Sequence, residues 1–246
     1  MTPVGQRFLM SYSAVMTVVF AVSALCGFAR VPQKMTIEEL DVQRINLREP
    51  DGTLRLVISD KSKAPGIFVK GKEYPHPDRK TAGMIFYNDE GTENGGLIFG
   101  GEKSKDGTKQ SSGHLSFDAY EQDQTMALDS NQSGGERSTR LQITDYPDYS
   151  IVDLLDFMAS IKQLPAEEQA ARINAFLTEH GRATTRLVLG RGMGKDSGDN
   201  SVMLGLNDMQ GRPRIVMKVA SDGTPSLQMF DSTGKVVGNL ETKGHP

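Results

Sequence analysis

The chain has no tryptophan and a single cysteine, Cys26, in 246 residues. One thiol excludes an internal disulfide framework and a multi-cysteine zinc site together. Without tryptophan the commonest platform for stacking a sugar ring is gone. No charge of one sign dominates either: 28 Lys+Arg against 31 Asp+Glu leave a net charge of −3, and such a balance offers no basic field to hold nucleic acid. Aromatic residues are only 7%, whereas 26 glycines and 11 prolines mark a chain of many turns. The length suits one large domain or two small ones.

Charge is absent altogether from Phe8 to Ala29, FLMSYSAVMTVVFAVSALCGFA, which follows a short flank, residues 1–7, carrying Arg7. At about 1.5 Å per residue this run reaches roughly 33 Å as a helix, enough to span a hydrocarbon core. It is longer than a secretory signal core of about 7 to 15 residues, which predicts a retained transmembrane anchor over 8–29. Gly27-Phe28-Ala29 also satisfies the small-x-small rule, so secretion after cleavage near Ala29 is the alternative. Cys26 follows Leu25, not the small residue a lipobox needs, and reads as an apolar residue of the anchor. Arg30, Lys34, Arg44 and Arg48 beyond the run oppose export by the charge rule. Long domains nevertheless cross largely regardless of charge, so the expected topology is single-pass, with 1–7 in the cytoplasm and the soluble part outside it. Residues 30–41 read as a spacer, where Thr36 and Glu39 have capping-box spacing and predict a helical turn.

Residues 42–240 are dominated by period-two segments: Leu54, Leu56 and Ile58; Leu115, Phe117 and Ala119; Leu141 and Ile143; Val202, Leu204 and Leu206; Ile215, Met217 and Val219. Between them stand turn clusters of one style, such as Pro50-Asp51-Gly52, Lys105-Asp106-Gly107, Ser221-Asp222-Gly223 and Asp231-Ser232-Thr233-Gly234. Asp supplies a side-chain acceptor and Gly a positive φ, as tight hairpins require. Arg55, Arg140, Arg186 and Arg214 each open an alternating apolar segment, and two copies extend into a turn, strand, Pro-bearing loop and strand. Irregular spacing of the copies argues for duplicated hairpins over a solenoid. Ser150 to Leu164 changes to helical spacing, and Pro165 opens a second helix that Gly181 stops, so a helical hairpin is inserted at 148–181. The predicted fold is mainly β, an antiparallel sandwich or rolled sheet with this insertion, followed by a tail at 241–246.

Chemistry is sparse. His76, His114, His180 and His245 show no metal-binding spacing. Gly190 to Lys195 glances at a phosphate loop, but Leu189 stands where its first glycine belongs and Asp196 where Ser or Thr belongs. Asp129 to Gly134 matches half a calcium loop, with Arg140 where the bidentate Glu should sit. Glu121 and Asp123 read as sharing a strand face, and Asp153 with Asp156 a helix face. No catalytic, cofactor-binding or metal-binding residue is predicted. The stiff loop Tyr74-Pro75-His76-Pro77-Asp78-Arg79 supplies the candidate partner contacts Tyr74, His76, Asp78 and Arg79.

The segments DVQRIN (41–46), DGTLR (51–55), GKEYPHP (71–77), NDEGTENGGLIFGG (88–101) and GHLSFD (113–118) resemble those of a group of bacterial proteins with a hydrophobic N-terminus and no assigned function. That resemblance implies a bacterial source and a shared architecture, and it carries no ligand or catalytic residue. The expected function is a membrane-tethered binding or assembly module outside the cytoplasm, with the membrane and other proteins as partners. The alternatives are an enzyme whose active site is assembled from residues distant in sequence, and an envelope structural protein assembling through strand edges.

Overall fold

A computed structural model describes residues 3–27, 34–192 and 200–241. The chain divides into two units, Met1–Asp41 and Val42–Pro246. In the first, α1 (Pro3–Gly27) contains a stretch, Pro3–Ala24, long and apolar enough to cross a membrane. Residues 34–43 hold no helix, so the turn expected at Thr36 does not form. A single turn fixes about six dihedrals for one hydrogen bond, and the side chains of 34–40 are all exposed, leaving no packing to offset that cost.

The second unit runs β1 (Arg44–Arg48), β2 (Leu54–Ser59), β3 (Ile67–Val69), β4 (Lys72–Tyr74), β5 (Ala82–Tyr87), β6 (Glu93–Lys103), β7 (Lys109–Asp118), β8 (Gln124–Ser133) and β9 (Glu136–Asp145). Then come α2 (Ile151–Ile161), α3 (Ala166–His180), β10 (Thr184–Arg191), β11 (Val202–Asn207), β12 (Pro213–Val219), β13 (Pro225–Phe230) and β14 (Val236–Glu241). Twelve strands form one antiparallel sheet in chain order, with β3 and β4 paired separately as an inserted hairpin. Of the two forms open from the sequence, the chain takes one continuous sheet.

Turn chemistry explains this order. At 49–53 the Glu49 amide donates to the Thr53 carbonyl and Gly52 to Glu49, both at 2.9 Å, while the Asp51 carboxylate accepts from the Thr53 amide at 2.8 Å. The same pair of backbone bonds closes 88–92, 104–108, 119–123, 208–212, 220–224 and 231–235. In all but 119–123 the fourth residue is a glycine at positive φ, from +72° at Gly91 to +96° at Gly52. A glycine there meets no steric penalty, and the turn returns the chain alongside the strand it has just left.

Bulges adjust the register inside these hairpins. Leu47 pairs with Leu56 and Arg48 with Leu54, leaving Arg55 as an extra residue. Leu54 therefore does not share a face with Leu56 and Ile58, as strict alternation predicts; it turns into the core with Val57, Ile85 and Tyr87. Arg186 and Arg214 are extra residues of the same kind, so three of the four repeated arginines mark bulges. The duplicated unit is also unequal: β12 and β13 pair with each other, whereas β2 and β3 lie in different sheets.

Register carried from strand to strand aligns side chains in rows. One row runs Ile45, Ile58, Met84, Leu97, Leu115, Leu128, Leu141, Leu189, Leu204, Met217, Leu227 and Leu240, one residue from every strand of the sheet. Beside it on the same face runs Leu47, Leu56, Phe86, Gly95, Phe117, Met126, Ile143, Leu187, Leu206, Ile215, Met229 and Gly238. Neither row contains a charge, and apart from the buried Gly95 every member of both is half-buried or exposed. The buried sheet residues Val57, Ile85 and Ala127 all belong to the opposite face, where Phe68 of β3 meets Tyr87 edge-on at 5.4 Å.

The helical pair follows its sequence signals closely. The Ser150 hydroxyl accepts from the Val152 amide at 3.3 Å to start α2, and Gly181 at φ 103° ends α3. Phe157 of α2 stacks on Phe176 of α3 at 4.9 Å.

Gly95 tests the row geometry. Phe86 and Phe117 flank it, ring centroids 6.4 Å apart, and a Cβ there would lie 2.3 Å from the Ser116 carbonyl oxygen at φ +129°. Gly95→Ala is expected to destabilise the fold by about 2 kcal/mol or more. Gly113→Ala, with nothing within 4 Å of the new methyl group, should stay within about 0.5 kcal/mol in urea unfolding of the detergent-solubilised chain.

Candidate functional site

Three turns meet at one end of the sheet. The β3–β4 loop is Lys70-Gly71, at φ 49° and 75°. Its Lys70 amide donates to Thr92 Oγ1 at 2.8 Å and its Gly71 amide to the Gly91 carbonyl at 3.3 Å, which fastens the tip to the 88–92 turn. Lys70 Nζ pairs with the carboxylate of Glu121 in the 119–123 turn, and the Tyr120 hydroxyl donates to Glu90 at 2.6 Å. The Glu121 carbonyl in turn accepts from the Ile151 amide at 2.7 Å, tying in the start of α2.

Among the described residues Lys70 and Glu121 are the two non-glycines at positive φ, and they hold each other. A left-handed residue with a Cβ costs roughly 1 to 2 kcal/mol, so each side chain is retained against a local penalty. The hydrogen bond from Lys70 holds the Glu121 carboxyl below its usual range, outweighing a burial effect in the other direction.

Beneath the junction lies a polar cavity of about 190 Å³, with His76, Thr92, Glu93, Ser116, Asp118 and Asp123 among its walls. Arg79 forms its rim: its guanidinium grips Glu93 at 2.5 and 3.1 Å and donates to the Gly66 carbonyl at 2.9 Å, a half-closed fork that clamps the loop before β3 to the sheet. Asp118 keeps one carboxyl oxygen buried without a partner. Burial, with the Glu93 and Asp123 carboxylates adding to it, pushes its carboxyl up to about 7. Tyr146 is pushed up to about 12 by burial and by the same neighbourhood of Asp123 and Asp118. Chemically, this cavity holds a buried carboxyl of raised proton affinity and has room for a small polar molecule or a few waters.

The sequence-predicted contacts do not act together. Arg79 is committed to the fork with Glu93, a partner on β6 beyond the intervening β5 that could not be read locally. His76 faces the cavity, Tyr74 lies under the Lys72 ammonium at 4.5 Å, and Asp78 is exposed. Glu121 and Asp123 lie in a turn, not on a strand face, since 119–123 closes without a glycine. His114 stands apart from the cavity on β7, its Nδ1 2.7 Å from Asp129, which Arg140 also grips at 2.9 Å. Burial favours the protonated Asp129 carboxyl, but the bonds from His114 and Arg140 outweigh it and hold it below its usual range. The segment at 129–134 is thus mostly strand, with Asp129 engaged across it. The second half of the phosphate-loop-like stretch, from 193 on, lies outside the described residues.

A broader polar trough of about 1230 Å³ lies toward the other strand ends, among Lys61, Lys80, Glu102, Ser112 and Asn131. The second candidate surface is the paired apolar rows. Phe117, Leu128, Leu189, Met217 and Met229 are all at least 44% exposed there. Neither Asp118 nor these rows emerged from local sequence reading, although the alternation in each strand was the signal for the rows. No protein-family model matches the chain, and no curated protein is similar to it.

Two outcomes check the junction and the cavity. Glu121→Ala loses the Lys70 pair and keeps the left-handed strain, whereas Glu121→Gly relieves the strain, so the alanine variant should be less stable than the glycine variant by about 1 kcal/mol. For Asp118, the folded carboxyl keeps its proton up to about 7 while the unfolded chain releases it near 3.8. Stability from this group is therefore full below pH 4 and declines as pH rises toward 7. Asp118→Asn should match the parent near pH 4 and exceed it at pH 8 by on the order of 3 kcal/mol, read from unfolding curves at each pH.

Proposed function

We propose that the protein is a membrane-tethered binding or assembly module, anchored by α1, with the β unit working outside the cytoplasm of a bacterial cell. The observation that carries this reading is the partly exposed apolar face, on which Phe117, Leu128, Leu189, Met217 and Met229 are at least 44% exposed. A soluble sheet that faces water on one side alternates polar residues onto that side. Here two rows without a charge cross all twelve strands. Exposed apolar surface of that extent is a mark of an interaction site. Anchor length supports retention in the membrane over cleavage.

The cavity under the turn junction favours a second reading, an enzyme with a site assembled from distant residues, since it gathers His76, Asp118 and Asp123. Purification of the tagged full-length chain from membranes under mild detergent separates the two. The binding reading expects a protein component retained in stoichiometric amount, and recovery of the chain alone as a monomer would count against it. Protease added to spheroplasts should remove the β unit; protection would overturn the export assignment.

A further inference from the structure

We propose that the apolar face is covered by a second copy of the same chain, so that two sheets pack face to face. This rests on the binding-module reading and names its partner.

The dimensions fit. At about 4.8 Å per strand the rows extend roughly 53 Å from β1 to β14, and two residues along each strand cover about 14 Å, a projected area on the order of 700 Å². Each partner of a standard protein interface gives up about 800 Å². The largest apolar patch on a typical monomer is about 300 to 600 Å², so the face is too large to be left in water by a lone chain.

The chemistry selects a like partner. The rows hold only apolar side chains and two glycines, so they offer no charge for a polar partner to match. The same surface on a second copy is equally apolar and twists with the same hand, and sheets of one hand stack at about 30° with their inner faces about 10 Å apart. A two-fold axis through such a face is the commonest protein symmetry. Two anchored chains in one membrane also meet at a raised effective concentration. Pairing through the edge strands β1 and β14 would instead leave both rows in water.

The rows can be tested where a monomer would tolerate change. Leu128 lies mid-sheet and is 48% exposed, and Met217 is 50% exposed. In the single chain Leu128→Asp or Met217→Lys buries no charge; in the face-to-face dimer either does. Ser112→Asp, exposed on the opposite face, is the control. Native mass spectrometry of the full-length protein in mild detergent should give twice the chain mass for the parent and for Ser112→Asp. Leu128→Asp and Met217→Lys should each give the single mass, with circular dichroism unchanged to show that they fold. A dimer that survives both row substitutions overturns the proposal, as does a monomeric parent. If that monomer carries another protein, the binding module stands and the second copy falls; a monomer with a lipid-sized adduct makes the face a site for acyl chains. A bare monomer removes both readings.

Discussion

Antiparallel strands transmit register to one another through their turns, and in this molecule that transmission runs unbroken through every strand of the sheet. A slip of one residue at any hairpin would send all later apolar side chains to the other face. The repeated five-residue turn limits that freedom, because its glycine and its Asp or Asn acceptor allow one backbone path. Bulges such as the one at Arg55 do the remaining adjustment, letting Leu56 stay in its row while Leu54 turns to the core. Two continuous rows on one face are the product of both devices.

The two faces consequently have different fates. One is sealed in part by the β3–β4 hairpin, whose Phe68 reaches Tyr87 and whose Lys70 reaches Glu121, with Arg79 clamping the loop behind it. Sealing that face over polar positions is what traps Asp118 with a partnerless oxygen and raises its proton affinity. The other face stays partly exposed, with Phe117, Leu128, Leu189, Met217 and Met229 at least 44% exposed. The core therefore sits on one side of the layer only, with Leu54, Val57, Ile85 and Tyr87 at its centre.

Local chemistry was the legible part of the sequence. Asp-Gly turns, the Ser150 cap, the Pro165 start and the Gly181 stop all act through neighbours a few residues away, and the helices fall inside the predicted 148–181. What failed depends on distance. Leu54 was misplaced because a bulge is invisible to a period-two count. The 119–123 turn reads as strand in the sequence because Glu121 occupies a left-handed position without the glycine that would announce it. Arg79 reads as free because Glu93 stands on β6, beyond the intervening β5. Alternation told which side chains share a face within a strand; only pairing showed that every strand contributes to one face.

Chain-order pairing also bears on how the fold is made. Within the twelve-stranded sheet each strand after the first pairs with the one before it in chain order, with other elements intervening only where β5 follows the β3–β4 hairpin and β10 follows α2 and α3. Contacts so local keep the entropy of loop closure small and favour rapid folding. The sheet can therefore be built strand by strand from β1 onward, with one growing edge open at any moment. The β14 edge is simply the last of these, left open where the described strands run out.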